Sequence, residues 1–170
     1  MTTTQESRES RAGDPRFRVP KVAEPVSVML EGGLEVEGTV HLAPAAGSHL
    51  GRERIIDLLL ADEPFLPLTG PDGACLVNKR RIVRIAFADP FDAELDEARG
   101  EGTHEAAIEI DLCGVPAHAM RLRGTIRYVM PEGHGRIVDY LNQARRFYPV
   151  LTGDRVALVS LKHTVAVRDA

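Results

Sequence analysis

Tryptophan is absent from the 170 residues, and aromatic side chains make up only 5% of them. Single-stranded nucleic acids are gripped largely by stacking bases on aromatic faces, so such a platform has little to be built from. Cysteine occurs twice, as Cys75 and Cys113, too few for a disulfide framework or a zinc knuckle. Small buried side chains in strands are the expected reading of both. Nowhere do 18 apolar residues run together, so no membrane-spanning helix is expected. Met1 to Asp14 contains no apolar run of the secretory type, and the expected setting is reducing and cytoplasmic. The histidines, His41, His49, His104, His118, His134 and His163, include no pair at the spacing of a metal site, and exposed loop positions are expected for them. Ser27, Ser48 and Ser160 lack a nucleophile-elbow context, and no Gly-rich phosphate loop occurs. No catalytic residue, metal or cofactor is therefore expected. A net charge of −4 argues against binding polyanions by bulk charge, though it leaves room for a local basic patch.

What the chain does have is a stretch written twice. Arg54-Ile55-Ile56-Asp57-Leu58-Leu59, with Phe65-Leu66-Pro67-Leu68 after it, returns as Arg136-Ile137-Val138-Asp139-Tyr140-Leu141 and Phe147-Tyr148-Pro149-Val150, 82 positions later. The same offset carries Leu76-Val77 onto Leu158-Val159 and Val83 onto Val165. Between Arg54 and Ile85 the ungapped match is 10 identities in 32 positions, where average composition would give about two. A duplicated unit follows, and two units of roughly 60 to 70 residues are each near the lower limit for an independent core. The copies are therefore expected to pack on one another or on copies from other chains.

Residues 1–19 are polar and aperiodic and are expected to form a disordered, solvated tail carrying Arg11, Arg16 and Arg18. Residues 25–30 and 34–42 alternate in polarity around Gly32-Gly33, a hairpin signal. In the second copy the corresponding segments are residues 107–112 and 119–129. Ile55, Leu58 and Leu59, like Ile137, Tyr140 and Leu141, fall at i, i+3 and i+4, which predicts a helix of about 8 to 10 residues held by packing. Arg54 with Asp57, and Arg136 with Asp139, have the spacing of an intrahelical ion pair. Pro67 and Pro149 predict an edge strand or a strand start, because proline donates nothing to a ladder. Residues 74–78 and 82–86 are expected strands joined by Asn78-Lys79-Arg80-Arg81; residues 156–160 and 164–168 are their copies. Between the units residues 89–104 are acidic and predict a solvated linker. The first unit then covers residues 20–88 and the second residues 105–170, each ordered strand, strand, helix, strand, strand, strand.

The run from Val26 to Val40, with its Gly32-Gly33 turn and Gly38, resembles the first motif of Sm-like proteins. That resemblance implies a small, strongly bent five-stranded barrel. The Asp and Asn that shape the family's RNA-binding loop have no counterpart in Leu42-Ala43-Pro44-Ala45, and its closing Arg-Gly pair is missing from residues 78–81. The pattern Arg-Ile-x-Asp-x-Leu followed by Phe-x-Pro is also similar to an uncharacterised bacterial β-rich domain, which implies a bacterial cytoplasmic setting and carries no activity. The fold class expected is mainly β with short helices, in two tandem homologous units, each a small Sm-like barrel.

Lys79, Arg80, Arg81 and Arg84, echoed by Lys162, His163 and Arg168, are the candidate binding residues. They read either as a solvated turn or as an anion-binding edge for a phosphate, a nucleotide second messenger or an RNA backbone. Arg80 and Arg84 fit the Arg-x-x-x-Arg spacing of a PilZ-type cyclic-dinucleotide site, without its small-residue strand motif. Arg54, Asp57, Phe65, Pro67, Arg136, Asp139, Phe147 and Pro149 are the structural signature of the repeat. The expected role is a non-catalytic interaction or assembly module, a scaffold or accessory subunit, whose partner is another protein or further copies of the chain. An Sm-like RNA or second-messenger binder is the alternative.

Overall fold

The computed structural model describes residues 21–44, 51–93, 102–131 and 135–170. The expected tail 1–19, His49, Ser48, His134 and the acidic residues 94–101 lie outside them. Ten strands and two short helices follow in order: β1 (Val22–Leu30), β2 (Glu35–Leu42), α1 (Ile55–Leu60), β3 (Phe65–Gly70), β4 (Gly73–Asn78), β5 (Ile82–Phe87), β6 (Thr103–Leu112), β7 (Arg121–Val129), α2 (Ile137–Gln143), β8 (Phe147–Thr152), β9 (Arg155–Ser160) and β10 (Thr164–Asp169). The chain is mainly β, and its helices are shorter than the periodicity predicts. No described helix is long and apolar enough to cross a membrane.

All strands join one antiparallel sheet in the order β10-β6-β7-β8-β9-β5-β1-β2-β3-β4. The strands of the two expected units thus share a single sheet. The sheet is not closed: its ends are β10 and β4, and the two halves meet through a ladder between β5 and β9. Within each half the helix lies between the second and third strands.

Alternation puts Val26, Val28, Val40 and Leu42 into one core with Leu66, Leu68, Ile82 and Ile85, and α1 closes it with Ile55, Ile56 and Leu59. A second core gathers Ile108, Ile110, Ile126, Tyr148, Val150 and Val159, with the half-buried Ile137, Tyr140 and Leu141 of α2 against it. Each core borrows from the other half. Phe147, Val156 and Leu158 pack in the first, and Met29 and Val83 in the second.

The turn between β1 and β2 needs positive φ at two successive residues, which Gly32 (92°) and Gly33 (86°) supply. Both helices begin alike: the Asp57 carboxylate accepts from the Arg54 backbone N–H at 3.0 Å and from Nε at 3.1 Å, and Asp139 accepts from Arg136 Nε at 3.0 Å. These contacts hold the first turn of a helix too short to persist unaided. Pro67 and Pro149 stand in the middle of β3 and β8, which are not outer strands. They are tolerated because the neighbouring ladders are minimal: β2 meets β3 only at Thr39 and Thr69, and β7 meets β8 only at Thr125 and Leu151.

The start of the acidic stretch is not solvated as expected. A 3-10 turn, Pro90–Ala93, buries Asp92 completely beside α1 and β9. Arg52 reaches Asp89 and Asp92, each at 2.9 Å, and lies 5.0 Å over the Phe91 ring. Burial nevertheless lifts the Asp92 carboxyl from 3.8 to about 6, against the pull of Arg52. The folded chain thus keeps a proton that the unfolded chain releases near pH 4. This contribution favours folding at low pH and is lost as pH rises through about 6, a swing of roughly 2 to 3 kcal/mol by pH 7. Asp92→Asn is expected to remove that slope. Urea midpoints of wild type and variant at pH 4.5 and 7 check it, and parallel pH profiles would contradict the assignment.

Candidate interaction surface

At one end of the β5–β9 junction the chain brings its two basic turns together. The first, a 3-10 turn at Lys79–Arg81, is capped by Asn78, whose side-chain oxygen accepts from the Arg80 N–H. The second is Leu161–His163, and Lys162 Nζ donates to the Arg80 carbonyl at 3.3 Å. The β1–β2 turn seals the corner: Glu31 N–H donates to the Arg81 carbonyl at 2.8 Å and Gly32 N–H to the Gly114 carbonyl at 2.6 Å. Glu31 receives Arg81 at 2.6 Å, with Lys162 at 3.8 Å, and the Arg81 hydrogen bond followed by the Lys162 charge holds its carboxyl below the usual range.

These residues are therefore close, but they do not make one cationic face. Lys79 is buried and donates to the Ala61 carbonyl at 3.2 Å, with its pKa lowered mainly by burial. His163 is buried as well, against the expectation of exposed histidines. Its Nδ1 is 3.1 Å from Ser160 Oγ, Nε2 has no hydrogen-bond partner among the described residues, and burial followed by the Lys162 charge lowers its pKa. Arg84 approaches Glu35 at 3.8 Å, and Arg168 pairs with Asp111. Arg80 and Arg81 are the exposed cations of the first turn, and Arg81 is paired with Glu31.

The second feature is the state of the two outer strands. Positions 82 apart have the same residue and opposite surroundings. Leu158 in β9 is 0% exposed and Leu76 in β4 is 67% exposed; Val83 in β5 is 0% exposed and Val165 in β10 is 64% exposed. Phe147 is 5% exposed against 46% for Phe65, so the repeated phenylalanine is buried in one half and open in the other. Pro149 is buried and Pro67 exposed. Cys75, expected inside, lies exposed on β4, and Cys113 is half-buried. The buried member of each apolar pair belongs to a strand with a neighbour on both sides. The exposed member lies on or beside an outer strand. Leu76, Val165 and Cys75 were not candidates from the sequence; the one signal there was that Leu76 and Val165 repeat residues of the other copy.

Two concavities accompany these surfaces. A groove of roughly 610 Å³ runs between the helices, lined by Leu60, Tyr128, Tyr140, Ala144, Phe147 and Pro149 among others. One of roughly 530 Å³ lies beside β10, lined by Leu112, Cys113, Ala117, Met120 and Val165 together with Asp111 and Arg121. Among the described residues no cluster of His, Cys, Asp and Glu is placed to hold a metal ion. No family model, curated protein or solved structure matches this chain.

Proposed function

We propose that the chain is a non-catalytic assembly module made of two tandem homologous units of the Sm-like kind, acting as a scaffold or accessory subunit in a bacterial cytoplasmic complex. In support of the duplication, β3, β4, β5 and α1 recur as β8, β9, β10 and α2 at starts 82 positions on. Strand order within the halves is likewise parallel, β5-β1-β2-β3-β4 against β10-β6-β7-β8-β9. The observation that carries the assembly role is the pair of open outer strands bearing exposed Leu76 and Val165. Unpaired backbone beside apolar side chains is what β-strand addition by a partner uses, and soluble proteins ordinarily blunt such edges.

Exposed Arg80, next to Arg81 and Lys162, favours a second reading, an RNA or cyclic-dinucleotide binder. Two variants separate the readings. Leu76→Lys is expected to abolish protein association, while Arg80→Ala with Arg81→Ala leaves it intact. Wild-type affinity for single-stranded RNA at physiological salt is expected to be no tighter than a Kd of about 10⁻⁴ M. Tight, salt-dependent RNA or dinucleotide binding lost in the arginine variant, with no protein association at all, would reverse the assignment.

A further inference from the structure

The internal junction shows what each free edge lacks. In it β5 pairs antiparallel with β9, with Arg84 opposite Val159, Ile85 opposite Leu158, Ala86 opposite Ala157 and Phe87 opposite Val156. The strand equivalent to β5 is β10, and the strand equivalent to β9 is β4; these are the two ends of the sheet. The chain thus carries one complete copy of the contact inside it and one unsatisfied half at each end. Resting on the assembly reading above, we propose that the partner is a second copy of this chain. Its β10 adds to β4 of the first in the internal register, putting Val167 opposite Leu76 and Arg168 opposite Cys75.

Three observations fit this occupant. The apolar side chains exposed at the ends, Leu76, Val165 and Phe65, are those whose equivalents Leu158, Val83 and Phe147 are covered by the internal contact. Val165 shares a concavity with Leu112, Ala117 and exposed Met120, so apolar surface continues beside the outer strand. At the internal junction Lys162 Nζ donates to the Arg80 carbonyl; between copies the equivalent donor is exposed Arg80 and the equivalent acceptor is the Lys162 carbonyl. The contact uses different surfaces on the two partners, so it is heterologous. It propagates from copy to copy until the rotation closes a ring, or runs on as a filament.

The test is a cross-link in a Cys113→Ser background that keeps Cys75. Directly opposed residues of an antiparallel pair have Cα atoms about 4.5 to 5.5 Å apart, within disulfide range. Arg168→Cys is expected to form a disulfide ladder of copies on mild oxidation. Val167→Cys, which projects from the other face of β10, is expected to give at least about tenfold less. By sedimentation the unoxidised wild type is expected at multiples of 18.6 kDa, and Leu76→Lys at the monomer mass with unchanged circular dichroism. A monomer at every concentration with no ladder overturns the proposal, and so do dimers linked through Cys75 of both copies, which would mean β4 meeting β4. If the chain is monomeric yet forms a Leu76-dependent complex with a different protein, the second-copy proposal fails while the assembly reading stands. If neither association occurs, both fail.

Discussion

Phe147→Ala is expected to destabilise the isolated chain by about 3 to 5 kcal/mol, and Phe65→Ala by less than about 0.5 kcal/mol. The two phenylalanines hold the same place in the repeat, each opening a strand that continues into proline. Phe147 belongs to β8 but packs in the core of the other half with Val156, Leu158 and Phe87. Truncating it leaves a cavity bounded by residues of both halves, which cannot collapse without opening the β5–β9 ladder. Phe65 is half exposed, beside a strand with no neighbour beyond it. For a chain of this length the Phe147 loss corresponds to a fall in Tm of about 6 to 20 °C. Urea denaturation at low protein concentration, where copies are apart, measures the contrast. Equal effects would mean that the two positions share one environment and that the junction does not organise the cores.

The recurrence at an offset of 82 is legible because the identities are apolar and evenly placed, and the first hairpin is legible because Gly32-Gly33 and the alternation around it leave one local choice. The helix positions, the strand borders and the Arg54–Asp57 and Arg136–Asp139 pairs follow from spacing alone. How the halves meet does not. Leu76 and Leu158 are the same letter in the same local pattern; one is covered and one is not, since burial depends on which strand lies alongside. Periodicity reports a face and is silent on its neighbour. The basic turns fail for a related reason: Lys79, Arg80 and Arg81 read as one cationic run, but a 3-10 turn sends consecutive side chains in different directions. Lys79 goes under α1, Arg81 to Glu31 and Arg80 to solvent. Prolines 67 and 149 point to an interrupted ladder, as the chemistry of a missing N–H requires, but the interruption falls inside the sheet rather than at its margin.

Gly124→Ala is expected to cost about 3 kcal/mol, close to the upper end of ordinary overpacking, and Gly38→Ala about 1 kcal/mol. Neither glycine has positive φ, so the backbone would accept alanine at both positions; the limit is space. A Cβ on Gly124 would lie 2.4 Å from the Leu151 carbonyl oxygen and 2.6 Å from Val150 Cγ1. The first obstacle is backbone and cannot rotate away. Among the described residues β7 pairs with β8 at Thr125 and Leu151 alone, so the methyl group would push against that pairing. At Gly38 the nearest atoms are the Thr69 oxygen at 3.1 Å and Leu68 Cβ at 3.3 Å, which a few tenths of an ångström would relieve. Both glycines stand where a long strand passes from one neighbour to the next, β2 from β1 to β3 and β7 from β6 to β8. Close approach of backbones at that point lets five strands wrap a helix and a core of so few residues. Denaturant midpoints and amide exchange at Thr125 and Leu151 measure the effect. Unchanged protection of those two amides in Gly124→Ala would show that the crossing tolerates a side chain.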